Sequence, residues 1–124
     1  MLRDSKLSGA DAEQLAQNYL QQQGLKLLAK NFRTLRGEID LIMRDNTHLV
    51  FVEVRFRQSS AFGSAEESIT QQKCQRLTAA ALAYMQSQKL VDQLSARFDA
   101  VAISPASATS QGGYRINWIK NILQ

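Results

Sequence analysis

The order of periodic segments in this 124-residue chain predicts an α/β fold, a mixed β-sheet flanked by α-helices. Three observations carry that expectation. An amphipathic helical pattern spans residues 9–23, two β-branched runs follow over 38–44 and 48–57 with a tight turn between them, and a long helical pattern over 65–89 separates these from a strand pattern at 96–103.

Ser8 followed by Asp11 reads as an N-cap with an acidic first turn. Ala12, Leu15, Ala16, Tyr19 and Leu20 recur at helical spacing, and Gly24 is a natural stop. Glu13 lies at the edge of that apolar stripe, facing the seam with a neighbouring sheet. Residues 25–32 are a first strand with imperfect alternation, and the Arg36-Gly37 pair turns the chain into 38–44. Asp45-Asn46 turns it again, and so short a connection predicts a hairpin rather than a parallel crossover. In the second hairpin strand Val50, Val52, Val54 and Phe56 share one face, while Phe51, Glu53, Arg55 and Arg57 share the other. In the first, Glu38, Asp40 and Ile42 oppose Ile39, Leu41 and Met43. The pattern predicts one face turned to the core and one gathering acids and bases.

After a polar loop at 58–63, the helix expected over 65–89 has Glu66 and Glu67 in its first turn and a stripe of Ile69, Lys73, Leu77, Ala80 and Tyr84. Lys73 is the odd member, a cation on a face otherwise suited to the core. A turn near Asp92, a strand over 96–103, a loop from Pro105 to Gly113 and a last strand over 114–119 complete the order. No repeat or long low-complexity tract interrupts it. One domain over 1–124 is expected, with its core at about 8–103 and the last strand added.

Composition narrows the classes of function. A hydrophobic fraction of 44% with 21% charged residues is that of a globular chain. No apolar run reaches the ~18 residues that span a bilayer, and the first residues lack the apolar segment of a signal peptide, so a cytoplasmic protein with no membrane partner is expected. A single cysteine, Cys74, and a single histidine, His48, exclude an internal disulfide and the usual structural zinc arrangements. Any metal must then be held by oxygen. The net charge of +4 favours a polyanionic partner once the acids of a metal site are set aside, although many basic proteins have no such partner.

Asp40 lies inside the apolar run 39–42 and Glu53 inside the run 50–54. A carboxylate in a β-branched stretch suffers desolvation unless a cation meets it. The two are thirteen residues apart, and Arg55 follows Glu53 by two. Hydrolysis of a phosphodiester needs an activated water and relief of charge on the leaving oxygen, tasks suited to Mg²⁺ or Mn²⁺ on carboxylates and carbonyls. Asp40 and Glu53 supply carboxylates from adjacent strands, the Val54 carbonyl a third oxygen, and Glu13 completes the shell directly or through water. Arg55, about 7 Å along the strand from Glu53, is in reach of a phosphate. The alternative for Asp40 and Glu53 is ordinary cross-strand pairing with Arg44, Arg55 or Arg57 on a solvated face.

The stretches GEIDLI at 37–42 and FVEVRFR at 51–57 resemble the D…ExK core of the restriction-endonuclease-like PD-(D/E)xK superfamily. More narrowly, GADAEQLAQNYL at 9–20, NFRTLRGEIDLI at 31–42, VFVEVRFR at 50–57, FGSAEESITQQKCQRL at 62–77 and RFDAVAI at 97–103 resemble the YraN-like family of small bacterial proteins. The resemblance covers about residues 8–103. It implies a restriction-endonuclease-like mixed sheet flanked by helices, a divalent-metal site, and nucleic acid, with DNA foremost, as substrate. Holliday-junction resolvases are among the structural relatives it implies, hence branched or damaged DNA and a homodimer. By position, Glu13, Asp40 and Glu53 match the acidic motif residues, and Arg55 stands where the motif usually has lysine.

That departure bears on activity. A lysine with a depressed pKa orients or deprotonates water, whereas arginine stays protonated and serves phosphate binding instead. Lys73 is the candidate substitute if its helix crosses the acidic face. Arg33, Arg36 and Arg57 are candidates for steering a phosphate backbone, or are ordinary surface arginines. Asp99 either approaches the site or pairs near Arg97, and Glu38 is a supporting acid of the site or one belonging to the turn. Trp118 and Tyr114 stack on bases or pack at an edge, and Cys74 is a small packed residue. Two rival functions stand beside a metal-dependent endonuclease: a nucleic-acid-binding protein with a vestigial site, and a non-catalytic interaction protein.

Overall fold

A reciprocal capping box starts the first helix. In the computed structural model, which describes residues 8–58, 63–89, 94–106 and 113–123, the Ser8 hydroxyl accepts from the Asp11 N–H at 3.0 Å and the Asp11 carboxylate accepts from the Ser8 N–H at 3.2 Å. Helix α1 (Gly9–Gln22) buries Ala12, Ala16 and Leu20, and the chain leaves it through Gly24 at a φ of 101°.

Five strands follow: β1 (Lys26–Arg33), β2 (Glu38–Asp45), β3 (His48–Phe56), β4 (Ser95–Pro105) and β5 (Tyr114–Ile119), with helix α2 (Gln71–Ser87) between β3 and β4. They form one sheet in the order β1-β2-β3-β4-β5. Strands β3 and β4 are parallel and every other pair is antiparallel, so the sheet is mixed. The parallel pair requires a crossover, which α2 supplies. The β2–β3 hairpin closes on a two-residue turn, Asn46-Thr47, with Asn46 in the left-handed region that asparagine tolerates. This is the expected α/β architecture, consistent with a restriction-endonuclease-like fold.

Both faces of the sheet are core, which corrects the expectation of one apolar and one charged face. Leu41, Met43, Val50, Val52, Val54, Val101 and Ile103 pack with α1. Ile39, Ile42, Leu49 and Phe51 pack with Leu77, Ala80, Ala81 and Tyr84 of α2. Because a helix covers each side, Asp40 and Glu53 gather at the end of the sheet where β2 and β3 part company, and the other buried charge of the sheet, Asp99 on β4, is met by Arg97. Their pairing stops at Leu41 and Val52, one step before Asp40 and Glu53.

Strand β2 also breaks its alternation there, since Ile39 and Ile42 join the same cluster. Its neighbour does likewise: Ala29 and Phe32 both pack on that cluster. Lys30 pairs with Leu41 and Phe32 with Ile39, leaving Asn31 opposite Asp40. Asn31 has a φ of 52°. One left-handed residue thus turns β1, and β2 turns with it, at the position of the site.

The single helix expected over 65–89 is two elements. A short 3-10 turn, Glu66–Ser68, precedes α2, whose N-cap is Thr70 with its hydroxyl accepting from the Lys73 N–H at 3.2 Å. Glu66 and Glu67 belong to the 3-10 turn and not to the first turn of α2. Gly37 docks the β1–β2 turn on α2, where an added Cβ would overlap the backbone carbonyl of Arg76. The loops expected at 58–63 and 105–113 lie partly, and the turn at Asp92 wholly, outside the described residues. No helix among the described residues is long and apolar enough to cross a membrane.

Candidate active site

Continuing the β2–β3 register beyond Leu41 and Val52 sets Asp40 opposite Glu53. The strands have separated by then, and the Asp40 carboxylate fills the gap by accepting from the Val54 N–H at 2.8 Å. Asp40 is 9% exposed and forms no ion pair among the described residues. Burial, then the charge of Glu53, pushes its carboxyl up to about 7, with Glu13 and Glu38 adding to the rise and the Val54 N–H opposing it. Burial also raises Glu53, against the lowering effect of Arg55 and Lys73. Of the two, Glu53 has Arg55 for a partner and Asp40 has no cationic partner among the described residues.

Arg55 reaches back along β3 to Glu53 at 3.4 Å, and its Nε donates to the Ser68 hydroxyl at 2.9 Å. Ser68 is itself fixed, donating to the Ala65 carbonyl at 2.6 Å. The 3-10 turn therefore holds the guanidinium beside the acids. Glu13, Glu38, Asp40, Glu53 and Arg55 line one recess of about 320 Å³, walled by Gly9 and Ala12 at the start of α1. An adjoining recess of about 120 Å³ shares Glu38, Glu53 and Arg55 and adds Lys73 and Arg76 from α2. Together they make one cleft from α1 to α2 across the parted strands.

Of the residues singled out in the sequence, Glu13, Asp40, Glu53, Arg55 and Lys73 line this cleft. Among the described residues, however, no three Asp, Glu, His or Cys side chains stand close enough to hold an ion by themselves. Three carboxylates share a cleft without sharing one coordination sphere. Arg33 pairs with Glu38 at 3.2 Å on the surface, and Arg36 is exposed in the adjoining turn. Arg57 lines a separate recess with Ser64, Glu66 and Arg115.

Asp99 does not approach the cleft. It is fully buried, accepting from Arg97 Nε at 3.1 Å, from the Trp118 indole N–H at 3.0 Å and from the Asn121 backbone N–H at 3.0 Å. Trp118 packs edge-on against Tyr19 and Tyr114 against Phe56, so both serve the edge of the sheet. Cys74 is partly buried, which raises its thiol pKa.

Glu38, Ser68 and Arg76 complete the surroundings of the cleft and carried little weight in the sequence. Arg76 had a usable signal, since it follows Lys73 by three residues and shares its helical face. Ser68 had none, because its role depends on a 3-10 turn.

An all-oxygen donor set of one buried and two half-buried acids, with Asp40 free of any ion pair among the described residues, suits a hard divalent cation such as Mg²⁺ or Mn²⁺ better than a soft metal. The fold and the cleft define an α/β protein with an acidic centre bordered by the basic side chains of Arg55, Lys73 and Arg76. The chain belongs to the family described as Uncharacterised protein family UPF0102, whose model matches residues 12–103; this is the YraN-like family that its motifs resemble. It is 44% identical over 122 residues to a UPF0102 protein of Aliivibrio fischeri (strain MJ11), covering 98% of this chain and 94% of that one. A UPF0102 protein of Coxiella burnetii (strain RSA 331 / Henzerling II) is 45% identical over 116 residues, covering 94% and 91% respectively. One from Legionella pneumophila (strain Philadelphia 1) is 43% identical over 113 residues, with 91% of each chain covered.

Proposed function

We propose that this protein is a divalent-metal-dependent endonuclease of the PD-(D/E)xK type that hydrolyses DNA phosphodiesters, with branched or damaged DNA as the preferred substrate. One observation carries the reading: buried Asp40 and half-buried Glu53 stand side by side where β2 leaves β3, and no cation pairs with Asp40 among the described residues. Asp40 and Glu53, with the Val54 carbonyl, would hold Mg²⁺ or Mn²⁺, and Glu13 would reach it through water. When bound, the ion supplies charge neutralisation at the phosphate and lowers the pKa of water.

The chain's own side chains do the rest. Arg55, held by Ser68, neutralises a non-bridging phosphate oxygen and does not act as a base. Lys73, across the cleft from Arg55 and near Glu53, orients the attacking water. Arg36 and Arg76 steer the sugar-phosphate backbone toward the cleft, while Arg33 is engaged with Glu38. Action on chromosomal DNA makes the protein cytoplasmic, and symmetrical cutting of a four-way junction calls for a homodimer.

The Arg55–Glu53 ion pair favours a second reading, a nucleic-acid-binding protein whose cleavage site is vestigial, because the guanidinium already occupies one carboxylate. Wild type and Glu53→Gln incubated with single-stranded, duplex, flapped and four-way DNA plus Mn²⁺ separate the two. Cleavage by wild type alone supports the nuclease; salt-sensitive binding with no cleavage, unchanged in Glu53→Gln, supports the vestigial site. Absence of any binding defeats both and leaves an interaction protein.

A further inference from the structure

Leu35, in the turn between β1 and β2, is fully solvent-exposed at 107%, more than any other large apolar side chain among the described residues. It adds nothing to the core, yet the turn that carries it is firmly anchored. The Thr34 N–H donates to the Gly37 carbonyl at 2.8 Å, and the Thr34 hydroxyl accepts from the N–H groups of Arg36 and Gly37 at 3.1 Å. Gly37 in turn sits directly against the α2 backbone at Arg76. An apolar tip held at low entropic cost is suited to insertion into something.

The neighbourhood specifies what. Arg33 and Arg36 flank Leu35 in sequence, and Arg76 lies where Gly37 meets α2. Arg33 offsets Glu38 through their ion pair, leaving Arg36 and Arg76 to meet an anion. Leu35 is three residue steps from Glu38 on the rim of the cleft, a reach of at most about 11 Å, or about three nucleotide steps along one strand. A single leucine is far short of the apolar area that a stable protein interface buries. Between arginines, beside the cleft proposed to take a phosphodiester, it matches the apolar wedge that enters an unstacked base step.

We propose that Leu35 inserts into an opened base step of DNA lying across the cleft, with Arg36 and Arg76 on the flanking phosphates, and so selects branched or distorted DNA over continuous duplex. The inference rests on the nucleic-acid reading of the cleft. A continuous duplex resists insertion because a stacked step must first open, whereas a junction, flap or mismatch has already lost that stacking.

The test measures binding in EDTA, with wild type, Leu35→Ser, Leu35→Met and Arg36→Ala. The probes are a four-way junction and a continuous duplex, each carrying 2-aminopurine at the branch or at the matching central position. Wild type should raise junction emission. Leu35→Ser should abolish that rise and weaken junction binding about tenfold, the equivalent of one lost leucine contact, with duplex affinity and thermal midpoint unchanged. Leu35→Met, which keeps an apolar wedge, should retain the preference, and Arg36→Ala should weaken both probes. The inference is overturned if Leu35→Ser binds the junction as wild type does, which would give the side chain to a protein partner. Equal losses on both probes, or no DNA binding by wild type, overturn it as well. Cleavage plays no part in these readings, so an intact Leu35 effect without metal-dependent hydrolysis sinks the nuclease reading alone.

Discussion

The Asp40 carboxylate and the Val54 backbone N–H, 2.8 Å apart, bridge the point at which two paired strands separate. The bond replaces a ladder hydrogen bond that the divergence of β2 from β3 would otherwise leave unmade, and it fixes one carboxylate oxygen next to Glu53. Structure and chemistry compete at this residue. Burial favours a neutral acid, and the proposed hydrolysis through a bound cation would need the anion.

The competition predicts a pH dependence. Asp40 titrates at about 7 in the fold against an ordinary 3.8, so the folded chain binds the proton more tightly than the unfolded chain. Stability contributed by this group is fully present below about pH 4 and lost as pH rises toward 7, by at most ~4 kcal/mol. Asp40→Asn keeps an acceptor for the Val54 N–H and removes the charge. Urea unfolding in EDTA should show it more stable than wild type at pH 8, with a flatter pH profile, and a less stable variant at pH 8 would contradict the assignment. Mn²⁺ should stabilise wild type at pH 8 and leave Asp40→Asn unmoved.

The division of labour between Arg55 and Lys73 is also measurable. If Lys73 orients water and Arg55 only neutralises charge, Lys73→Ala should lower the cleavage rate about 100-fold. Arg55→Lys retains the charge and should lower it by about tenfold or less. Single-turnover rates on the best DNA substrate rank the two, and the reverse order rejects Lys73.

Ser68 holds Arg55, and in the proposed function acts through it on phosphate. Ser68→Ala removes the hydroxyl that holds the guanidinium and should destabilise the fold by about 1 kcal/mol. Its kinetic signature should be a several-fold rise in KM with a smaller change in kcat, since a freed Arg55 still carries its charge. A fall in kcat with KM unaltered would mean that Ser68 has a different role.

Asn31 gives a purely conformational prediction. Its φ of 52° is accessible to asparagine and glycine and strained for a β-branched residue. Asn31→Val should cost about 1–3 kcal/mol, and Asn31→Gly much less. Because Asn31 stands opposite Asp40, the valine variant should also weaken Mn²⁺ binding, measured by calorimetry at pH 8.

The parts legible in the sequence were those governed by local pattern. The N-cap at Ser8 with its acidic first turn at Asp11, the hairpin around Asn46, and the order of helices and strands all follow from short-range chemistry. The turn expected at Asp45-Asn46 lies one residue later, at Asn46-Thr47, so that Asp45 pairs with His48, and only with that register does counting back set Asp40 opposite Glu53. Three features escaped because they are tertiary. Alternation predicted Ile39 on the face of Leu41, and the Asn31 turn moved it to the other. Helical composition hid the break at Ile69 and Thr70, and nothing local marks Gly37 as a contact for the α2 backbone. The two-sided core was missed for a related reason: a strand buried on both faces, such as Leu49–Val52, alternates in hydrophobicity only where it emerges at Glu53.

The buried Asp99 has a consequence for how this protein can be cut down. The family match ends at residue 103, but the indole and backbone donors that solvate Asp99 come from Trp118 and Asn121. Truncation at residue 106 would strand an anion in the interior with Arg97 alone and uncap the flank of β4. Such a fragment should express as aggregate or melt without a cooperative transition, whereas the same deletion carrying Asp99→Asn should recover part of its solubility. The smallest autonomous unit therefore extends well past the segment by which its relatives are recognised.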